Sequence, residues 1–165
     1  MKFLFFWGHQ PERDGTIGKG CLSQWWPCTF SVDGQTFTSA EHYMMWRKAM
    51  LFNDVDIATQ VLAARTSAEA KSLGRQVADF SDAAWVSARL DIVVEGNLAK
   101  FGQDPSLRSY LLGTGSRVLV EASPQDRVWG IGLVATDPRA LDPSQWLGLN
   151  LLGEALMEVR AKLAA

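Results

Sequence analysis

An acid and an amine lie seven residues apart in the apolar stretch SAEHYMMWRKAMLF, which runs from Ser39 to Phe52. If this stretch is helical, Glu41 and Lys48 fall on one face of the helix with Met45 and Phe52. A carboxylate can transfer a proton or stabilise a developing positive charge, and an amine on a partly apolar surface loses its proton more easily than one in water. The pair therefore predicts acid–base or amine chemistry beside an apolar surface.

Both residues also have structural interpretations. Thr38-x-x-Glu41 matches a capping box, in which Thr38 caps the first helical turn and Glu41 returns a hydrogen bond to it. Lys48 on a helix commonly extends its ammonium group into solvent over an apolar stem. The sequence leaves open whether Glu41 caps or catalyses, and whether the Lys48 amine is solvated, binds a phosphate or acts as a nucleophile.

A second candidate stretch is LVEASPQDRVWGIG, residues 119–132. A predicted strand leads into a proline-containing loop that presents Asp126 and Trp129, while Gly130 and Gly132 allow the backbone to approach a ligand closely. The alternative is a structural turn, in which Asp126 binds its own backbone and Trp129 fills the core. A GxG pattern alone is weak evidence for phosphate binding.

Composition restricts the class of protein. The 165 residues are 47% hydrophobic and 21% charged, which suits a single globular domain over residues 1–165. With a net charge of −2, the protein does not have the positive electrostatic field that non-specific nucleic-acid binding usually needs. A nucleic-acid substrate could still bind to a local basic cluster, which consists of Arg47, Lys48, Lys71 and Arg75. With no signal-peptide pattern and no apolar run near the ~18 residues of a membrane span, we expect a cytoplasmic protein without a membrane partner.

Metal binding and disulfide formation are not indicated. Cys21 and Cys28 do not have a metal-ligand spacing, and His9 and His42 are the only imidazoles in the chain. We expect two free thiols rather than a disulfide, no metal ion and no cofactor.

Periodicity and turn residues predict a mainly α, multihelical fold with a small β-hairpin and strand element. The predicted strands are Phe3–Trp7, the two arms of a hairpin within Cys28–Phe37, and Arg117–Ala122. The predicted helices are Thr38–Phe52, Asp54–Arg65, Ser67–Leu73 ended by Gly74, Ser81–Phe101, Pro105–Leu112 and Gly148–Leu163.

Taken in order, several segments resemble the NADAR (YbiA-like) family. The resemblance covers Gly20–Leu163 and is carried by WPCTFSVDGQTFTSAEHYMMWRKAMLF, AKSLGRQV, Trp85, NLAKF, LVEASPQDRVWGIGL and NLLGEALMEVR. The sequence departs from the family pattern F-S-N-F, for which it has Leu22-Ser23-Gln24-Trp25. The longer Gln side chain changes the reach of this loop by one methylene.

The resemblance implies an N-glycosidase. Family members act on phosphoribosylated pyrimidine intermediates of riboflavin synthesis or remove ADP-ribose from guanine. Cleavage of such a bond passes through a ribosyl-cation-like transition state, for which two carboxylates suffice. Glu41 and Asp126 match the family positions, one as acid or base and the other as charge stabiliser, and Lys48 either forms a Schiff base with ring-opened ribose or contacts a phosphate.

The expected binding residues follow from the same resemblance. Trp85 and Trp129 have the aromatic faces to stack on the leaving base, and Gly130 and Gly132 would bring main-chain N–H groups near the ribose or phosphate. Arg75 has the planar fork of a phosphate ligand, or is simply solvated.

Asn150 orients either the loop or a ribose hydroxyl, or else caps the terminal helix.

The alternative function is a non-catalytic module that binds ADP-ribose or a nucleotide. Such a module would keep the tryptophans and the basic groups but would tolerate loss of the carboxylates. Because the sequence retains Glu41, Lys48 and Asp126 together, it favours the enzyme.

Overall fold

A computed structural model describes residues 1–165. Its strands are β1 (Phe3–Phe6), β2 (Phe30–Val32), β3 (Gln35–Phe37) and β4 (Val118–Glu121). Its helices are α1 (Ala40–Leu51), α2 (Val55–Ala63), α3 (Ser67–Gly74), α4 (Asp82–Gln103), α5 (Pro105–Gly113) and α6 (Leu151–Ala164), with 3₁₀ helices at Lys19–Leu22, Pro138–Leu141 and Pro143–Gln145. The predicted mainly α fold with a small β element is confirmed.

Residues 24–104 form one compact unit, which begins with the hairpin of β2 and β3. Asp33 and Gly34 have φ angles of 50° and 81°, the left-handed conformation that a tight two-residue hairpin turn requires. The pairing of Phe30 with Phe37 brings their ring centroids to 5.7 Å, and both rings pack near Tyr43 of α1. The predicted hairpin is therefore confirmed, and it buries an aromatic cluster on α1.

Helix α1 is central in this unit, because it contacts α2, α3 and α4. Two glycines permit close packing. A Cβ at Gly96 of α4 would lie only 2.9 Å from Cδ2 of Tyr43, and one at Gly74 would overlap Sδ of Met45. Gly74 was expected to end α3 from outside the helix, but it is the last helical residue, and its small size makes room for Met45.

The start of α1 differs from the prediction. Ser39, not Thr38, is the N-cap, and its hydroxyl accepts the His42 N–H at 3.1 Å. Glu41 is then the second helical residue, so the Thr38–Glu41 capping box is wrong. A similar pair of interactions occurs at α3. The Thr66 hydroxyl accepts the Glu69 N–H at 3.1 Å, and the Glu69 carboxylate accepts the N–H of Arg65, the residue before the cap, at 2.9 Å.

The second compact unit combines residues 1–23 with residues 105–165. Strands β1 and β4 pair in parallel, with Phe3 opposite Val118 and Phe6 opposite Glu121. A buried cluster underlies this pair and consists of Val120, Ile131, Leu133 and Ala140, against which Phe3, Phe5, Val118 and Trp146 pack. The single domain expected over residues 1–165 stays a prediction.

Helix α6 begins three residues later than expected. Asn150 has a φ of 54°, which a right-handed helix does not accommodate, so the helix starts at Leu151. The preceding backbone is instead bound to the 126–132 loop, because Leu149 N–H donates to the Arg127 carbonyl and Asn150 N–H donates to the Gly130 carbonyl, each at 3.0 Å. These tertiary hydrogen bonds replace the first predicted helical turn.

We expect Gly153→Ala to lower the free energy of unfolding by about 1–3 kcal/mol, which is the usual cost of overpacking a close contact. A Cβ at Gly153 would overlap the Leu119 carbonyl of β4 and the Asn150 side chain. The matched control is Gly113→Ala, because a Cβ at this exposed helical position meets nothing within 4 Å. Urea unfolding of both variants provides the measurement, and equal stability would contradict close packing of α6 on β4.

Three further features are clear. None of the helices combines the length and apolar composition that a bilayer span needs. Cys21 and Cys28 do not form a disulfide. No group of three or more His, Cys, Asp or Glu side chains is arranged to hold a metal ion.

Candidate active site

The backbone around Glu41 fixes its carboxylate in the first turn of α1. Glu41 is only 5% exposed, and its N–H donates to the Gln24 carbonyl at 3.0 Å. Gln24 is itself buried, and its Oε1 accepts a hydrogen bond from Nδ2 of Asn97 at 2.8 Å. The segment before the hairpin and helix α4 therefore hold the turn that carries Glu41. Gln24 stands where the family pattern has Asn, and its side chain is engaged within the protein.

The amine of Lys48 lies near two aromatic rings. Its Nζ is 4.7 Å from the ring centroid of Phe80 and 5.7 Å from that of Trp85. Desolvation by these surroundings lowers the pKa of Lys48 below its usual value, the Glu41 carboxylate opposes this shift, and the Arg75 charge adds to it. The structure thus brings Glu41, Lys48, Arg75 and Trp85 into one electrostatically linked group within residues 24–104.

Phe80 was missed by the sequence analysis. Phe80 is 44% exposed although its ring covers Lys48 Nζ, and this ring packs edge-on against Phe52 with ring centroids 5.3 Å apart. The backbone just before the ring is held in place. The Asp54 carboxylate accepts the Ala78 N–H at 2.8 Å, and Asp79 has a positive φ of 56° just before the ring. An exposed aromatic ring held in this way is suited to contact a ligand.

A sequence signal for Phe80 existed. Phe80 directly precedes the Ser81 N-cap of α4, and Trp85 is the fourth residue of that helix. An apolar pair at these two positions is the pattern of a hydrophobic staple, which fixes the direction in which the chain enters a helix. Both members of this pattern lie against the Lys48 amine.

The expected basic cluster is only partly available to a ligand. Arg47 is paired with Glu95 and also donates to the Tyr43 hydroxyl at 2.6 Å. Lys71 Nζ lies 5.9 Å from the Trp25 ring centroid. Arg75 follows the last residue of α3, is exposed and has no ion pair. Its role as a phosphate ligand stays a prediction.

In the other unit, Asp126 organises the loop that carries Trp129. Its Oδ1 accepts two backbone hydrogen bonds, from Val128 N–H at 2.9 Å and from Trp129 N–H at 2.8 Å. The Trp129 carbonyl then accepts the Leu152 N–H at 3.1 Å. These contacts match the structural interpretation of Asp126, while its Oδ2 makes no hydrogen bond. Catalysis by Asp126 and base stacking by Trp129 stay predictions.

Gly130 and Gly132 are buried and permit close backbone packing. A Cβ at Gly130 would lie 2.9 Å from the Glu121 carbonyl oxygen and 3.0 Å from that of Asp126. Gly132 has a φ of +72°, which favours glycine. Both glycines are thus needed to fold the loop, and their expected approach to a ligand stays a prediction.

Asn150 connects the same loop to β4. Its Oδ1 accepts the Glu121 N–H and its Nδ2 donates to the Leu119 carbonyl, each at 3.0 Å. It occupies the N-cap position of α6, where its carbonyl accepts the Glu154 N–H at 3.1 Å, but its side chain makes no capping hydrogen bond. The left-handed backbone of Asn150 turns its side chain to the strand, and a contact with a ribose hydroxyl stays a prediction.

Comparison with known proteins identifies relatives over most of the chain. The "N-glycosidase R617" of Acanthamoeba polyphaga mimivirus is 40% identical over 164 residues, covering 96% of this chain and 95% of that protein. The "N-glycosidase YbiA" of Escherichia coli is 31% identical over 139 residues, covering 84% of this chain and 77% of that protein. The "Riboflavin biosynthesis protein VVA0006" of Vibrio vulnificus is 33% identical over 144 residues, which are 87% of this chain and 35% of that protein.

A solved structure agrees with these relatives. The NMR structure of the Escherichia coli protein YbiA matches with a TM-score of 0.78 and 27% identity, covering 99% of this chain and 85% of that chain. The family model described as "NADAR domain" matches residues 5–164. Because this match spans nearly the whole sequence, the chain belongs to the NADAR domain family.

Proposed function

We propose that this NADAR-family N-glycosidase hydrolyses the bond between ribose and a nucleobase, with Glu41 and Lys48 as catalytic residues. The observation that carries the proposal is the Lys48 amine, which two aromatic rings partly desolvate and which is electrostatically coupled to the buried Glu41 carboxylate. Relatives named N-glycosidase over most of their length support the same reaction class.

In the proposed reaction, the Glu41 carboxylate and the Lys48 amine have different roles. As the bond from C1 to the base nitrogen breaks, positive charge develops on the ribose, and a nearby carboxylate stabilises it. Glu41 is suited to this role or to proton transfer, because its burial excludes much of the water that would screen its charge. The leaving nitrogen takes a proton as the base departs.

Lys48 is proposed to act as a nucleophile. Its neutral Nζ forms a bond to C1 as the bond from C1 to the base breaks, and the base leaves with a proton. The bond from C1 to the ring oxygen then opens, the ring oxygen takes the proton from the nitrogen, and the resulting imine is hydrolysed by one water, which releases ribose and restores the amine. The lowered pKa supports this role, because it increases the neutral fraction of the amine at a given pH. A phosphate-binding lysine would instead need to keep its charge. The surroundings of Lys48 thus favour the nucleophile over the phosphate contact.

The substrate class is proposed from the relatives. The Vibrio vulnificus relative is named a riboflavin biosynthesis protein, which supports a ribosylaminopyrimidine phosphate as the first candidate. Guanine carrying ADP-ribose, which the family resemblance implies, is the second candidate. The Phe80 ring gives the site an exposed aromatic surface for the leaving base. Asp126 remains proposed as the second catalytic carboxylate, and Trp129 and Asn150 remain proposed as substrate-binding residues.

The test offers both substrates to the purified protein in the presence of EDTA and follows the release of base or ADP-ribose by mass spectrometry. Release from one substrate would support the glycosidase and identify its substrate class. Binding of ADP-ribose without release from either substrate would favour the non-catalytic module.

We expect Arg75→Gln to move the rising limb of the activity–pH profile to higher pH. The Arg75 charge lowers the pKa of Lys48, so its removal raises that pKa and reduces the neutral amine at each pH below it. Arg75→Lys keeps the charge and is the matched control. Because Arg75 is exposed, the measurement belongs at low ionic strength, where the charge is less screened. An unchanged profile in Arg75→Gln would contradict this coupling.

A further inference from the structure

A groove on the unit formed by residues 1–23 and 105–165 has no role in the proposed reaction. Its volume is about 790 Å³, and the groove is open to solvent, since most of its lining residues are exposed. One wall is a face of α5 that carries Ser106, Ser109, Tyr110 and Gly113, and the loop Gly15–Ile17 forms part of the rest. The spacing of three, one and three residues places these helical positions on one side of α5.

The lining of the groove carries a single charged residue, which is Arg117. Its Nε donates to the Thr114 carbonyl at 3.1 Å, and no carboxylate forms an ion pair with it. Arg160 is a close neighbour, since its Nη1 donates to the Arg117 carbonyl at 2.9 Å, and it also lacks an ion pair. Burial and then the Arg117 charge lower the pKa of Arg160. An anion in the groove would relieve this repulsion between like charges.

Hydroxyl groups complete an anion-binding set. Tyr110 is half-buried, and neither its hydroxyl nor that of Ser109 makes a hydrogen bond within the protein. Burial raises the pKa of Tyr110, so the phenol stays protonated as a donor, with Arg117 opposing this shift and Glu12 adding to it. Glu12 is not part of the lining. A guanidinium fork and two hydroxyl donors match the acceptor oxygens of a phosphate group.

The groove is separate from the loop that carries Asp126. Arg117 directly precedes β4, whereas Asp126 follows the other end of that strand. The four residues of β4 alone span about 13 Å, at ~3.3 Å per residue. A ligand on Arg117 therefore does not depend on Asp126, and every lining residue lies outside residues 24–104.

From this charge, these donors and this volume, we propose that the groove along α5 is a second binding site, which accepts a small organic phosphate of nucleotide size. The phosphate binds the Arg117 guanidinium and the Tyr110 hydroxyl. The organic part lies along α5 against Ile17, Pro105 and the Tyr110 ring, which supply the apolar surface. This inference does not rest on the proposed glycosidase activity.

The test follows backbone amide chemical shifts of the isotope-labelled protein during titration with AMP, adenosine or inorganic phosphate. AMP at millimolar concentration is expected to shift the amides of Gly15, Ser109 and Gly113 with saturation, and adenosine to bind at least tenfold more weakly. Arg117→Gln should weaken the AMP response at these amides at least tenfold. Glu41→Gln, in the other unit, should leave it unchanged.

Two further variants keep the proposal falsifiable. Arg117→Lys retains the charge and should retain part of the binding, and Tyr110→Phe removes one donor without emptying the groove. If Arg117→Gln fails to fold, Tyr110→Phe should still weaken AMP binding several-fold. Absence of saturable shifts at the three amides, or shifts that the Arg117 and Tyr110 variants leave unchanged, would overturn the proposal.

Discussion

Glu41→Gln is expected to reduce kcat/KM on the active substrate by about 10²–10⁴-fold while the protein stays folded. Gln has nearly the same size as Glu and preserves the backbone hydrogen bond to Gln24, so the first turn of α1 is retained. The change removes the charge that stabilises the ribosyl cation and any proton that Glu41 transfers. Steady-state kinetics and urea unfolding on the same preparation separate the two effects.

The matched control is Glu69→Gln. Glu69 also lies in the first turn of a helix, where its carboxylate accepts the Arg65 N–H, but it is exposed and belongs to no candidate site. Both variants should lose a similar, small amount of stability from the weakened charge at a helix N-terminus, about 0.3–1 kcal/mol. Near-normal turnover in Glu41→Gln would assign Glu41 a structural role.

Lys48→Arg is the second substitution with a large expected effect. Arginine keeps the positive charge and the aromatic contacts but stays protonated at accessible pH, so it cannot form an imine. We expect turnover to fall by roughly 10³-fold or more, as for loss of a covalent nucleophile. Borohydride reduction during turnover should add the mass of a ribosyl fragment to the wild-type protein at Lys48 and add none to the variant.

Lys71→Arg is the corresponding control. Lys71 also places its ammonium near an aromatic ring, that of Trp25, without belonging to the proposed nucleophilic group. This variant should keep normal turnover and normal trapping. If Lys48→Arg remained active and the wild type gave no trapped adduct, Lys48 would instead bind a phosphate through its charge.

Much of the fold follows from local sequence signals. Apolar periodicity and capping residues located all six helices, since Asp54 and Ser81 each accept a first-turn N–H as their side chains predict. Asp33-Gly34 located the hairpin because few residue pairs adopt two successive left-handed conformations easily. These features depend on neighbours in the chain, which a single sequence displays directly.

The structure differs from the sequence-based predictions where residues distant in the chain compete with local sequence signals. Asn150 has the chemistry of a helix cap, yet β4 takes both of its amide atoms. Thr38 and Ser39 are adjacent candidates for the same cap. Ser39 is the cap, while the Thr38 carbonyl accepts the Cys28 N–H at 3.2 Å. Phe80 was overlooked because its significance depends on Lys48, which lies in α1, far away in the sequence.

The residues of the candidate site could be predicted from the sequence about as well as the fold. The sequence identified the types of residue, and the structure brings Glu41, Lys48, Arg75 and Trp85 into one group. The desolvation of the Lys48 amine could not be predicted from the sequence, because it depends on how α1 packs against the loop before α4. The pairing of Glu41 with Asp126 remains a prediction, since they belong to different compact units.

The parallel pairing of β1 with β4 has a consequence for synthesis on the ribosome. Residues 7–117 separate the two strands, so FLFF emerges long before its partner exists. At about 5–20 residues per second, translation of this interval takes roughly 6–22 s. Residues 24–104 are complete before β4 is made, whereas the apolar first strand stays unpaired. During that interval the nascent chain exposes a segment that chaperones bind and that associates readily with other unfinished chains.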